Sequence, residues 1–291
     1  MKALVTGATG FIGGHLVGRL ITRGDEVHVA TRVGSDLSRL PERVMVHQAD
    51  WNAEGLCDLL RGTMPDVVFH LASRFQDRHE SGDIDGLIDA NVAFGTKLAD
   101  AMVRAGCLRL INTGTSWQHF GNADYAPVCL YAATKQAFEA LLRYFSDANG
   151  LRVVTLKLFD TYGPDDRRGK LLSSFARLAA EGTRFDMSPG EQLIDLVHVD
   201  DVVAAYLVAA DRLRGGEVNG MESYAVSSGQ PLSLRELAAL FGRVCGTELP
   251  IVWGARPYRP REVMLPWSNG MPIPGWSPHI PLAEGLTRLL A

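Results

Sequence analysis

The chain has 291 residues, 46% of them apolar and 21% charged, with 29 Lys and Arg against 33 Asp and Glu for a formal net charge of −4. This is the composition of an ordinary globular protein, long enough for one large domain or two unequal ones. The acidic balance excludes a general electrostatic grip on nucleic acid or an anionic membrane, since both need a concentrated basic surface. The longest apolar run, Val202 to Ala210, is bounded by Asp200-Asp201 and Asp211. It is far short of the roughly 20 residues of a membrane helix. The first residues enter a strand at once and leave no room for a signal peptide, so a cytoplasmic protein is expected. Cys57, Cys107, Cys129 and Cys245 lie far apart without a CxxC pair. Reduced thiols are expected, with no metal site and no disulfide framework.

In chain order, Lys2–Thr6 reads as a short apolar strand and Phe11–Arg23 as a helix stopped by Gly24. Glu26–Thr31 and Val44–Gln48 read as the second and third strands, followed by a short helix around Ala53–Arg61. Asp66–Leu71 is the fourth strand, and Ile84–Arg104 a long helix. Leu108–Asn112, the fifth strand, leads to a second long helix, Tyr131–Asp147, and then to a sixth strand, Arg152–Leu158. Strands separated by helical crossovers predict an α/β fold, with a doubly wound parallel sheet covered on both faces. Beyond about residue 160 the rhythm loosens, and Pro and Gly thicken between Gly254 and Pro281. Residues 1–160 therefore read as the larger domain, to which the chain returns over about 192–228. Residues 161–191 and 229–291 read as a smaller one built by insertions.

Gly7-Ala8-Thr9-Gly10-Phe11-Ile12-Gly13 lies between the first strand and the first helix, where a dinucleotide's pyrophosphate meets a helix N-terminus. Gly7 permits the tight turn, Gly10 lets the backbone approach the phosphates, and Gly13 allows helix to pack closely on sheet. The GxxGxxG spacing resembles the extended branch of the short-chain dehydrogenase/reductase superfamily. At the end of the second strand a carboxylate would hold the ribose hydroxyls of NAD, but this chain has Ala30-Thr31-Arg32. Arg32 can form a bidentate pair with a 2′-phosphate, so NADP is the expected cofactor, with NAD as the alternative and a solvated surface arginine as the competing account.

Tyr131 and Lys135 are four residues apart and share one helix face. An ammonium beside a phenol lowers the phenol's pKa toward working pH, as a general acid or base requires. A hydroxyl partner is expected after the fifth strand, where Thr113, Thr115 and Ser116 are available. In the family resembled, that hydroxyl stands five residues before the glycine of a Tyr-Gly pair. The pair here is Phe120-Gly121, which selects Ser116, with Thr115 as runner-up.

The resemblance, to the NAD(P)-dependent epimerase/dehydratase family, covers nearly the whole chain. Asp50-Trp51 resembles its adenine-contacting acid, His70-Leu71-Ala72-Ser73 its loop beneath the pyrophosphate and ribose, and Asn91 its buried asparagine. Leu158–Pro164 is similar to its R-x-F-N-x-Y-G-P stretch, with Asp160 replacing the Asn, and Asp195–Val202 to its RDFIYVDDV run. Arg259-Pro260-Arg261-Glu262 resembles a turn whose arginine grips the diphosphate of a nucleotide sugar, with a salt bridge as the competing account. The resemblance thus implies a Rossmann-type sheet with a smaller C-terminal substrate-binding domain, and a nucleoside-diphosphate sugar as substrate. Thr115, Gln118, His119, Asp160 and Arg259 would contact that substrate. Asp200-Asp201 is expected to cap the following helix rather than do chemistry.

Dehydratases of the family place Asp-Glu directly after the catalytic hydroxyl, whereas Ser116 is followed by Trp117-Gln118, which disfavours dehydration. Two reactions remain: 4-epimerisation on a tightly held NAD, and 4-ketoreduction consuming NADPH. Thr31-Arg32 favours the second. Thr113–His119 with Tyr131–Glu139 also resembles bacterial reductases that make abequose-like 6-deoxyhexoses from 4-keto precursors. A non-catalytic NADP-binding sensor is the reading from another class, opposed by the presence of both Tyr131 and Lys135. The long helices are apolar on more than one face (Leu87, Ile88, Val92, Leu98, Met102; Phe138, Leu141, Leu142, Phe145). With the resemblance, this implies a homodimer through helices 84–104 and 131–147.

Overall fold

Strands and helices alternate as the hydrophobic periodicity predicts. The computed structural model describes residues 1–290. The first half comprises β1 (Lys2–Thr6), α1 (Phe11–Thr22), β2 (Glu26–Thr31), β3 (Met45–Gln48), α2 (Ala53–Thr63), β4 (Val67–His70), α3 (Ile84–Ile88), α4 (Phe94–Ala105), β5 (Arg109–Thr115), α5 (Leu130–Asn149) and β6 (Arg152–Leu158). There follow β7 (Asp160–Tyr162), α6 (Leu171–Glu181), β8 (Phe185–Asp186), β9 (Leu193–Ile194), β10 (Leu196–His198), α7 (Val199–Gly215), β11 (Met221–Val226), β12 (Leu232–Ser233), α8 (Leu234–Cys245), β13 (Ile251–Val252) and α9 (Leu282–Leu290).

The large sheet has the order β11-β6-β5-β4-β1-β2-β3, and every neighbouring pair is parallel. This is a Rossmann-type α/β sheet. Alternate side chains along each strand enter opposite cores: Val5 packs with Leu16, Val17 and Tyr206 under α1 and α7, while Leu4 packs with Leu56, Met102 and Phe138 under α2, α4 and α5. The strand order reverses between β1 and β4, which opens a crevice at the carboxyl ends of the strands, the usual ligand position in such sheets. A third core, with Phe175, Leu178, Leu237, Phe241 and Leu286, joins α6, α8 and α9. Two-stranded pairs, β8 with β13 and β9 with β12, tie its loops together.

Several expectations change. β5 continues to Thr115, three residues past its predicted end, because its ladder to β6 runs on to the Thr115–Leu158 pair. The predicted helix 84–104 contains a π-helical turn at Asp89–Ala93, with Asn91 buried in it. Such a turn is a common device at functional sites. The cap of α7 is His198, whose side chain accepts from the Asp200 amide, and not the Asp200-Asp201 pair. Asp201 is instead buried and accepts the amides of His279 and Ile280, pinning the C-terminal segment. Of the apolar residues cited for a partner face, Leu87, Leu98, Met102, Phe138, Leu142 and Phe145 are buried by the chain itself. Ile84, Ile88, Leu141 and Tyr144 are exposed. All four cysteines are free. Among the described residues no helix is long and apolar enough to cross a membrane, and no group of three or more His, Cys, Asp or Glu is placed to hold a metal.

Candidate active site

The turn from β1 to α1 is shaped by missing side chains. Gly7 has φ +73°, and a Cβ there would strike the Leu71–Ala72 backbone; a Cβ at Gly13 would overlap the Gly7 carbonyl. The loop after β4 lies directly on this turn, since the Leu71 amide donates to the Thr6 carbonyl (3.1 Å) and the Ala72 amide to Thr6 Oγ1 (3.3 Å). Gly10 caps α1 without a side chain, and the first turn, with Phe11 and Ile12, carries no acidic residue. The helix therefore presents its N-terminal amides and positive dipole end without an internal anion, which fits a pyrophosphate.

At the end of β2, the Trp51 indole donates to the Thr31 carbonyl (2.8 Å) and closes one side of a corner. Arg32 is exposed and forms no ion pair among the described residues; Asp50 is also exposed. The corner thus holds Thr31 and Trp51 in contact, with Arg32 and Asp50 next to them in the chain.

Tyr131 and Lys135 lie on the inner face of α5, both buried. Here burial acts against the expected lowering of the phenol's pKa. Burial pushes the Tyr131 phenol up to about 12, with the Ser73 hydroxyl opposing that rise. Burial also brings the Lys135 ammonium down to about 8, partly offset by Glu139. Desolvation disfavours both charged forms. Asn91 explains how Ser73 reaches Tyr131. Its Oδ1 accepts from Ser73 Oγ (3.0 Å) and the Arg74 amide (2.8 Å), and its Nδ2 donates to the Arg74 carbonyl (3.0 Å) and Thr134 Oγ1 (3.0 Å). One buried amide therefore locks the loop after β4 onto α5. His70 is a core residue: it is bonded to Thr6 Oγ1 (2.8 Å), packed against Phe94 and Phe138, and held neutral by burial with a pKa near about 3.

A cavity of about 1110 Å³ opens between the sheet's carboxyl edge and the third core. Ser116, His119, Asp160 and Arg259 line it. Thr115 and Gln118 do not. Thr115 Oγ1 accepts the Trp117 amide and caps a short 3₁₀ turn. Gln118 is fully buried, and its amide donates to Gln136 (2.7 Å) and Glu139 (2.9 Å). The 3₁₀ turn rotates Gln118 inward, away from the substrate contact that the resemblance implies. His119 offers the cavity a ring rather than a free nitrogen: Nε2 accepts from Lys157 (2.8 Å), Nδ1 donates to the Ala123 carbonyl (3.1 Å), and the ring stacks on Trp267 at 4.0 Å.

The cavity wall adds residues that sequence reading missed, because they stand in loops outside any motif. Phe75 packs edge-on to Tyr131 (5.0 Å between centroids), near Trp117 (5.8 Å), with the Lys170 ammonium 5.1 Å from its own ring centre. Lys170 pairs with Asp160 at 3.8 Å. Burial raises the Asp160 carboxyl and lowers Lys170, each shift opposed by the other's charge. Arg259, half exposed, pairs with Asp77 at 2.6 Å across the mouth of the cavity.

Residues 3–224 match the model of the NAD dependent epimerase/dehydratase family. A UDP-glucose 4-epimerase of Mycolicibacterium smegmatis is 29% identical over 309 residues, covering 99% of this chain and 97% of that protein. A CDP-abequose synthase of Salmonella typhimurium is 28% identical over 298 residues, covering 99% and 96%. The crystal structure of the Thermus thermophilus UDP-glucose 4-epimerase in complex with NAD superposes with a TM-score of 0.84 at 25% identity, covering 100% of this chain and 98% of that one. The glycine turn and the buried Tyr–Lys pair agree with that match over most of the length. The chain is an NAD(P)-dependent enzyme and belongs to the NAD dependent epimerase/dehydratase family.

Proposed function

We propose that the protein is an NADPH-dependent reductase of a nucleoside-diphosphate 4-keto-6-deoxy sugar. The observation that carries the choice of cofactor is the corner at the end of β2, where the strand ends in Thr31-Arg32 and the exposed guanidinium has no internal partner. A 2′-phosphate supplies that partner. The likeness to a CDP-abequose synthase and the neutral Trp117-Gln118 after Ser116 support ketoreduction over dehydration.

When bound, the cofactor supplies hydride to the sugar's carbonyl carbon. Negative charge then grows on the carbonyl oxygen, where Ser116, in the cavity wall, donates a hydrogen bond. Tyr131 supplies the proton that completes the alcohol. Its raised pKa keeps the phenol protonated at neutral pH, the form a proton donor needs. Lys135, charged below about pH 8, stabilises the phenolate left behind and holds the nicotinamide ribose. Arg259 receives the diphosphate. Residues 161–191 and 229–291 form the substrate-binding part, and the exposed Ile84, Ile88, Leu141 and Tyr144 on α3 and α5 support a homodimer through these helices.

The second reading is an NAD-dependent nucleotide-sugar 4-epimerase, favoured by the likeness to UDP-glucose 4-epimerases. Incubation with NADPH or NADH and a panel of CDP-, dTDP- and UDP-linked 4-keto-6-deoxy sugars separates them. Loss of nicotinamide absorbance, faster with NADPH, is expected. No loss with any ketosugar, together with interconversion of UDP-glucose and UDP-galactose, would establish the epimerase.

A further inference from the structure

The segment after β7 runs from α1 to the loop after β2. Pro164–Arg168 is flanked by Gly163 (φ +154°) and Gly169 (φ +65°), and within it Asp165 adopts a left-handed conformation (φ +64°). Such backbone is uncommon outside glycine, and Asp tolerates it better than most residues. Three contacts hold the segment to separate parts of the crevice. His15 Nε2 donates to the Pro164 carbonyl (3.1 Å), and the Arg168 guanidinium lies 4.3 Å above the Phe11 ring, so both reach the helix behind the glycine turn. Arg39, in the loop after β2, pairs with Asp165 at 3.0 Å. Arg168 is fixed in turn by a fork to the Asp166 carboxylate (2.6 Å to each oxygen) and by the Thr161 carbonyl (2.7 Å). The segment thus joins the first turns of α1 to the loop after β2.

We infer that residues 164–168 form a strap over the bound dinucleotide and that the Arg39–Asp165 pair sets how long the cofactor is retained. This inference rests on the cofactor reading above. Arg39 and Asp165 act as positioning residues: they touch each other and hold the strap. Both side chains are partly exposed, at 38% and 64%, so the pair is a weak latch of the kind that opens often.

The test is stopped-flow release of NADPH, read by nicotinamide fluorescence during a chase with excess NADP, in the full chain. Arg39→Gln and Asp165→Asn each remove the latch charge, and Asn keeps the left-handed backbone accessible. Release about 2–5-fold faster in each variant is expected, the scale of a partly exposed ion pair. The double variant should match the singles, Arg39→Lys should restore slow release, and added salt should speed release more in the wild type than in the variants. An unchanged release rate in both single variants, with circular dichroism showing them folded, would overturn the strap. Failure of the wild type to bind any reduced nicotinamide nucleotide would instead remove the cofactor reading, and the strap with it.

Discussion

The cofactor side and the sugar side of the crevice are built by different means. On the cofactor side, backbone does the work: glycines where a Cβ would collide, an uncapped helix end, and one buried amide, Asn91, locking a loop to α5. The proposed reactive pair there, Tyr131 and Lys135, is sunk in a core where desolvation governs both pKa values. On the sugar side, partly exposed side chains on loops and short strands do the work, and several are held by ion pairs, Arg259 with Asp77 and Lys170 with Asp160. A binding surface of this kind can change its substrate by exchanging side chains, whereas on the cofactor side only the corner at Arg32 is open to such exchange.

The largest test of that contrast is Tyr131→Phe. It removes one hydroxyl and keeps the ring that packs on Phe75, so folding and cofactor binding should survive. Turnover should fall by roughly 10²–10⁴, the usual contribution of a positioned acid. Near-normal rates on the preferred substrate would place the proton donor elsewhere.

Lys135→Met sharpens the claim that burial governs this side. The folded pKa of Lys135 is near about 8 against 10.5 for the free side chain, so the unfolded chain binds more protons between those values. Wild-type stability should therefore gain a contribution from Lys135 as pH rises from about 8 to about 10, and lose it as pH falls back. The methionine variant should lack that contribution, about 2–3 kcal/mol over the window. Urea titrations of the two proteins across that range measure the difference. Parallel profiles would mean that Lys135 remains solvated.

A smaller effect is expected at the adenosine corner. Arg32→Ala should weaken NADPH binding by about tenfold and leave NADH nearly unchanged, the effect of losing one charge-assisted pair. Titration of each cofactor by fluorescence checks it. Equal weakening of both would mean that Arg32 contributes only general charge.

What the sequence reveals follows the same division. The glycine turn, the Tyr131–Lys135 spacing and the strand–helix alternation are legible because each is a local pattern over a few residues. The π turn at Asn91 is not, since it forms only when the loop carrying Ser73 and Arg74 comes to meet it from elsewhere in the chain. Gln118, a substrate contact only by the resemblance, is turned away from the cavity, because a 3₁₀ turn after Ser116 carries its side chain into the Lys157–Glu139 network. Phe75, Asp77, Lys170 and Trp267 reach the cavity from loops whose paths no periodicity encodes. The predicted lowering of the Tyr131 pKa fails for a related reason: spacing reports a neighbour's charge but not the depth of burial.

The central claim is net hydride transfer into a ketosugar with Tyr131 as proton donor. The most direct measurement is a single turnover with NADPH carrying deuterium at the transferable position of the nicotinamide, followed by mass and NMR analysis of the sugar. The account predicts one deuterium at the former carbonyl carbon and one NADP formed per product. Interconversion of two hydroxy sugars, with no deuterium gained and no NADPH consumed, would contradict it.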